Sequence, residues 1–237
     1  MSRNAVFLAD YAINPLGIKT DTAIASVVDS WLTRAASVSD TLVMACNTLS
    51  IRYRQVHQSS VSQAGLARIV SMVDCFEAMV EAEACRLANK SILVIGTEFT
   101  AGQGLYSEVL NRAIPGIRVN TVAATELERK IARFERWDGQ RDSSFTAELR
   151  QAIDNTDIAV MACTCFPMVK ADLQALFPDV TFLDPGAYCS GLLTEISQTQ
   201  DRKLTITVTG DEVSETRVIG YAQSYLKDGS IDSYRSQ

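Results

Sequence analysis

Two cysteines of this chain stand at the end of the same tetrapeptide, Val-Met-Ala-Cys, once at 43–46 and again at 160–163. Each copy follows a short polar turn, Ser39-Asp40 or Thr156-Asp157, and closes an apolar run, TLVMAC or IAVMAC. Small polar residues come next, Asn47-Thr48 after Cys46 and Thr164-Cys165 after Cys163. A buried strand that stops on a thiol, twice, suggests two similar halves. Two thiols facing one carbon could take a proton from one side and return it on the other. A helix starting beside either thiol would direct its partial positive end there, favouring a bound carboxylate and lowering the thiol pKa. The plainer reading is a strand-end cysteine that only packs, and the repetition argues against it.

Other chemistry is thinly represented. There is one histidine, His57, in a polar stretch, and it reads as solvated. The cysteines at 46, 75, 85, 163, 165 and 189 include no CxxC pair, so a zinc site is poorly supported. Cys75 and Cys85 read as buried helix packing. Nothing resembles a glycine-rich phosphate loop, and no cofactor is expected. Six cysteines in 237 residues are too sparse for a disulfide scaffold, which suits a reducing cytoplasm. The net charge of -6 comes without a basic stripe, so nucleic acid is not expected as a partner. No run approaches the roughly 18 apolar residues of a membrane span, and the first residues do not read as a signal peptide.

The elements that must position the thiols alternate between strand and helix. Expected strands are Ala5–Ala9, Thr41–Cys46, Ala67–Met72, Ser91–Ile95, Val119–Val122, Ile158–Cys163, Thr181–Leu183 and Leu204–Val208. Expected helices are Thr22–Ala36, Cys75–Ala88, Gly104–Ala113, Glu126–Phe134, Ser144–Asn155, Pro167–Leu176, Gly186–Ser197 and Glu212–Leu226. Such alternation indicates α/β architecture with parallel sheets. Ligands of these sheets gather at the carboxyl ends of strands, which singles out Asp10, Cys46, Thr97, Cys163 and Asp184. Gln55–Gln63 and Glu135–Ser143 read as polar loops, and Thr209-Gly210-Asp211 as a turn and cap.

Taken in order, the stretches LADYAINPLGIKT, VMACNTLS, ILVIGTEFT with QGLY, MACTCFP, LDPGAY and VTGDEVSE resemble the aspartate/glutamate racemase superfamily, glutamate racemases in particular. The resemblance runs from about Phe7 to Leu226. It implies two pseudo-symmetric α/β domains with the active site between them: residues 1–70 with 191–237 as the first, and 71–190 as the second. It implies no cofactor, a small acidic amino acid as substrate, and a link to cell-wall peptidoglycan. It carries the catalytic pair onto Cys46 and Cys163. Substrate contacts fall on Leu16, Gly17, Asn47, Thr48, Thr97, Thr100, Thr164 and Cys165.

The chain departs from the family pattern in three places. Cys165 occupies the position of a histidine that assists the second cysteine, and a thiol is a poorer proton partner at neutral pH. Leu16 replaces the tyrosine of a Pro-Tyr-Gly turn. The family's opening strand, ending in Asp-Ser-Gly, has no expected counterpart, since Cys46 comes 36 positions after Asp10 and only nine residues precede Asp10. The first domain is therefore expected to be truncated, with unpaired strand edges. Marginal stability or association is expected from that, a homodimer being the simplest case. Three functions stay open: interconversion of L- and D-glutamate by two cysteine bases; another cofactor-free reaction of the superfamily, a decarboxylation or isomerisation; and a non-catalytic homologue that binds a small acid or a protein.

Overall fold

The computed structural model describes residues 5–10, 13, 16–56, 65–133, 135, 137, 143–193, 203–209, 216, 220 and 230–236. His57, most of the expected helix Glu212–Leu226, and Gly210-Asp211 lie outside them. The chain divides into one unit of residues 1–16 with 194–237 and another of residues 17–193. Within the first unit, β1 (Ala5–Asp10), β8 (Lys203–Thr209) and β9 (Ser230–Ser236) form a parallel sheet in the order β1-β8-β9. β9 is not evident from the sequence, because SIDSYRS has no apolar run. Its pairing rests on backbone hydrogen bonds, which any residue except proline supplies.

Residues 17–193 contain two further parallel sheets. The smaller pairs β2 (Thr41–Met44) with β3 (Arg68–Ser71). The larger comprises β4 (Ser91–Gly96), β5 (Arg118–Ala123), β6 (Ile158–Ala162) and β7 (Thr181–Leu183) in the order β5-β4-β6-β7. β4 and β6 are buried along their whole length, as expected of inner parallel strands covered on both faces. The helices, in chain order, are α1 (Asp21–Ala36), α2 (Asn47–Val56), α3 (Met72–Ala82), α4 (Ala84–Leu87) and α5 (Glu98–Gly102). They continue with α6 (Leu105–Ala113), α7 (Thr125–Ala132), α8 (Ser143–Ile153), α9 (Lys170–Leu176) and α10 (Cys189–Leu192).

Side chains alternate across a strand, and the core follows that alternation. Leu93, Ile95, Ala159 and Met161 face Leu127 and Ile131 of α7, Leu149 and Ile153 of α8, and Leu173 of α9. Ile92, Val94, Ile158 and Val160 join Val73, Phe76 and Met79 of α3, and Tyr106, Val109 and Leu110 of α6. Full burial of one such aliphatic side chain is worth about 1.5–3 kcal/mol. A smaller cluster holds α1 and α2 to the β2–β3 pair through Val28, Leu32, Met44 and Tyr53.

Three local differences from the sequence reading have identifiable causes. The strands bearing the repeated tetrapeptide end sooner than expected, at Met44 and Ala162. After β2, Ser50 Oγ donates to the Met44 carbonyl at 3.0 Å, and Ser50 N donates to the Cys46 carbonyl at 2.9 Å, so the chain is already turning into α2. After β6, Phe166 N donates to the Cys163 carbonyl at 3.0 Å and opens the 3-10 turn Phe166–Val169. The single helix expected over Cys75–Ala88 starts earlier and breaks at Glu83. A reciprocal Ser71–Asp74 capping box starts it. Cys75 is buried in α3 while Cys85 of α4 is exposed, against the expectation that both would pack inside.

Leu93, fully buried on β4 between β5 and β6, offers a direct test of this architecture. Leu93→Ala should lower the unfolding free energy by about 2–5 kcal/mol, measured from urea denaturation midpoints at constant slope. A loss below about 1 kcal/mol would contradict an inner-strand position.

Candidate active site

Both tetrapeptide cysteines lie in the unit of residues 17–193, each just past the carboxyl end of a parallel strand. The segments that carry them are joined directly. Thr164 Oγ1, next to Cys163, donates to the carbonyl of Ala45, next to Cys46, at 2.8 Å. The thiols sense each other electrostatically: negative charge on Cys163 opposes ionisation of Cys46.

Cys46 sits where two effects compete. Backbone N–H groups of Leu49 and Thr48, in the first turn of α2, donate to its sulfur and favour the thiolate. Burial is the larger effect and disfavours charge. Together with Cys163 and the carboxylate of Glu128, it pushes the thiol up to about 11 from an ordinary 9.0. The lowering expected from a helix N-terminus alone is therefore outweighed. Cys165 is held far above the usual thiol range, first by its contact with the Cys163 sulfur at 3.4 Å and then by burial. It keeps its proton and can donate it to a Cys163 thiolate.

The polar residues that follow the two cysteines are placed with equal definition. Asn47 begins α2 and is buried; its Oδ1 accepts from the Tyr106 hydroxyl, while its Nδ2 has no partner among the described residues. Thr48 is buried beside it. Thr97 caps α5, its Oγ1 accepting from Thr100 N at 3.3 Å and lying 3.1 Å from the Thr100 hydroxyl. Gly96 makes this turn possible, since a Cβ there would come within 2.9 Å of Thr100 Cβ and Cγ2. α2 and α5 are tied by Gln55 Nε2 donating to Gln103 Oε1 at 2.8 Å.

Gly17 reaches the same neighbourhood: a Cβ built on it would stand 3.3 Å from Phe99 Cβ and 3.8 Å from Thr97 Oγ1. Leu16, its neighbour in the 3-10 turn Leu16–Ile18, is buried and belongs to the first unit. Asp184, another strand-end residue, has a local role, accepting from Gly186 N at 2.8 Å to start a 3-10 turn.

Two participants are not evident from the sequence. Tyr106 lies within QGLY, which by itself gives no sign of a partner 59 residues away. Glu128, in a charged helix, raises both Cys46 and Cys165. Only the packing of α6 and α7 onto the sheet brings them in. Among the described residues no group of three or more His, Cys, Asp or Glu is placed to hold a metal ion. No described helix is long and apolar enough to cross a membrane.

The raised Cys46 ionisation has a measurable consequence. Alkylation of Cys46 by iodoacetamide, followed by peptide mass spectrometry, should stay slow through pH 8 and climb with an inflection near 11. An inflection at or below the ordinary 9 would mean that the α2 N–H groups outweigh burial.

The chain is 28% identical over 204 residues to the glutamate racemase of Syntrophus aciditrophicus, covering 83% of this chain and 72% of that protein. It is 27% identical over 187 residues to the glutamate racemase of Vibrio cholerae, covering 77% and 67%. The crystal structure of a glutamate racemase from Bacillus anthracis superposes with a TM-score of 0.77 at 19% identity, over 100% of this chain and 88% of that one. That likeness confirms α/β architecture with parallel sheets. The family model described as Asp/Glu/Hydantoin racemase matches residues 7–189, a span that includes both cysteine-bearing strand ends and the threonines beside them, and the chain accordingly belongs to this racemase family.

Proposed function

We propose that this chain is a cofactor-independent amino-acid racemase acting on glutamate or a related acidic amino acid, with Cys46 and Cys163 as its two acid–base groups. The observation that carries the reading is the Thr164–Ala45 hydrogen bond, which ties together the segments bearing the two thiols. The names of the glutamate racemases it matches in sequence support the substrate class. In this reading residues 1–70 with 191–237 form one lobe of the enzyme and 71–190 the other.

The Cα proton of an amino acid is a very weak acid, so removal at neutral pH needs a strong base and fixed donors. Desolvated Cys46 is such a base once ionised. Ionising it at neutral pH costs on the order of 5 kcal/mol, since its pKa of about 11 lies some four units higher. A substrate ammonium group placed beside the sulfur offsets part of that cost by Coulomb attraction. The thiolate then takes the Cα proton and becomes a thiol, leaving the electron pair on the carbon and its carboxylate. The opposite cysteine gives its S–H proton to the other face and becomes the thiolate. One proton is lost and one gained, and the substrate leaves with inverted configuration. Asn47, Thr48 and the Thr97–Thr100 hydroxyl pair supply donors for its carboxylates, while Thr164, whose hydroxyl is engaged with the Ala45 carbonyl, lines the site beside them. Cys165, protonated and 3.4 Å from Cys163, takes the place of an assisting group on that side.

Solvent deuterium incorporation at Cα of L- and D-glutamate in deuterated water tests the mechanism. Wild type should exchange both enantiomers without added cofactor. Cys46→Ser and Cys163→Ser should each reduce racemisation by at least about 10²-fold, the lower end of the contribution of a general acid or base. Cys165→His should raise the rate. Exchange that survives the double Cys→Ser change would overturn the two-base mechanism. Absence of exchange with any acidic amino acid would overturn the racemase reading in favour of a binding protein.

A further inference from the structure

The buried phenol of Tyr106 is hydrogen-bonded to Asn47, and its ring is held in a fixed plane. Tyr106 is 2% exposed and is the second residue of α6, which begins after Gly104 in a left-handed conformation at φ +67°. Its ring stacks on Phe76 of α3 with centroids 4.2 Å apart and planes 20° from parallel. Burial, with the charges of Cys46 and Cys163 behind it, holds its proton well above the ordinary phenol range. The hydroxyl is thus neutral and donates to Asn47 Oδ1.

A side-chain amide has two orientations, and the surroundings choose between them. With Oδ1 toward Tyr106, the phenol proton is satisfied and Asn47 Nδ2 is left without a partner. With the amide reversed, Nδ2 would donate to the phenol oxygen. The phenol proton would then be stranded beside the apolar cluster of Phe76, Val109 and Leu110. Leaving a buried donor unpaired is costly. The first orientation satisfies the phenol, and the group it leaves without a partner among the described residues is a donor on the residue that follows Cys46.

We propose that Tyr106 is a positioning residue that locks the Asn47 amide so that its unpaired Nδ2 is presented to a carboxylate of the amino-acid substrate. The inference rests on the racemase reading above and deepens it. Tyr106 does not touch the substrate, so its effect falls on substrate affinity rather than on proton transfer.

The test is a double-mutant cycle on the full chain, read as KM and kcat of glutamate Cα exchange, with the Asn47 side-chain amide followed by ¹⁵N NMR. Tyr106→Phe keeps the stacked ring and removes the hydroxyl. It should raise KM about 3- to 10-fold, with kcat within about two-fold, and shift the Asn47 amide resonances. In an Asn47→Ala background the same change should alter KM by less than about two-fold. Equal factors in the two backgrounds, or an unchanged KM in the first, would overturn the proposal while leaving the racemase reading intact. Asn47→Asp is a second arm that does not depend on how well the Tyr106 variant folds. It retains an acceptor for Tyr106 but presents an anionic oxygen, and should raise KM more than about 10-fold. An Asn47→Asp protein with wild-type KM would also overturn the proposal. If wild type neither exchanges deuterium nor shows an Asn47 amide shift with glutamate, the racemase reading itself fails, and this inference fails with it.

Discussion

Everything near the candidate site is referred to the pairing of β4 with β6. Both strands are apolar and buried throughout, and they run parallel in register from Ile92 with Ile158 to Gly96 with Ala162. Because the two run the same way, Thr97 and Cys163 emerge at the same edge of the sheet. Asp157 fixes the opposite end, accepting from Ser91 N at 2.8 Å and ion-pairing with Lys90 Nζ at 3.2 Å. Those contacts hold its carboxyl below the usual carboxylate range, the Ser91 N–H contributing most. Alternate side chains of the same two strands pack into the helical layer on each face.

The chemistry at that edge comes from a conflict between burial and hydrogen bonding. Three sulfurs, Cys46, Cys163 and Cys165, share one neighbourhood with the carboxylate of Glu128. Each added negative charge makes the next less favourable, so at most one thiolate is readily held. That suits an exchange of roles between two thiols better than a permanently ionised nucleophile. The α2 N–H groups lie against the Cys46 sulfur, and the Cys165 sulfur lies 3.4 Å from that of Cys163. Asn47 Oδ1 accepts from Tyr106, and its Nδ2 has no partner among the described residues.

Much of the architecture was legible in one dimension because it depends on short-range pattern. SILVIG and IAVMAC are continuous apolar runs bounded by polar turns, and they became the inner strands. TVAATELERKI switches from strand to amphipathic helix within a few residues, as β5 and α7 do. Thr20 and Asp21, just ahead of the expected helix Thr22–Ala36, are both residue types that cap helices; it is Thr20 that caps α1, its Oγ1 accepting from Ala23 N at 3.3 Å. What escaped was structure with weak local signal: β9 with its polar sequence, the five-residue α5, and the break between α3 and α4.

By itself the sequence determined which side chains could act: two thiols in identical tetrapeptides, each followed by small donors, at the carboxyl ends of predicted strands. The resemblance carried by those same residues agrees with the family match over residues 7–189. Tertiary structure decided what those groups experience. The rise of Cys46, the sulfur contact of Cys165, the reach of Glu128 and the hold of Tyr106 on Asn47 depend on distances between residues far apart in the chain. Residue type and spacing encode backbone geometry through nearest neighbours. Desolvation and Coulomb interaction depend on what surrounds a group in space, which exists only once the helices have packed on the sheet.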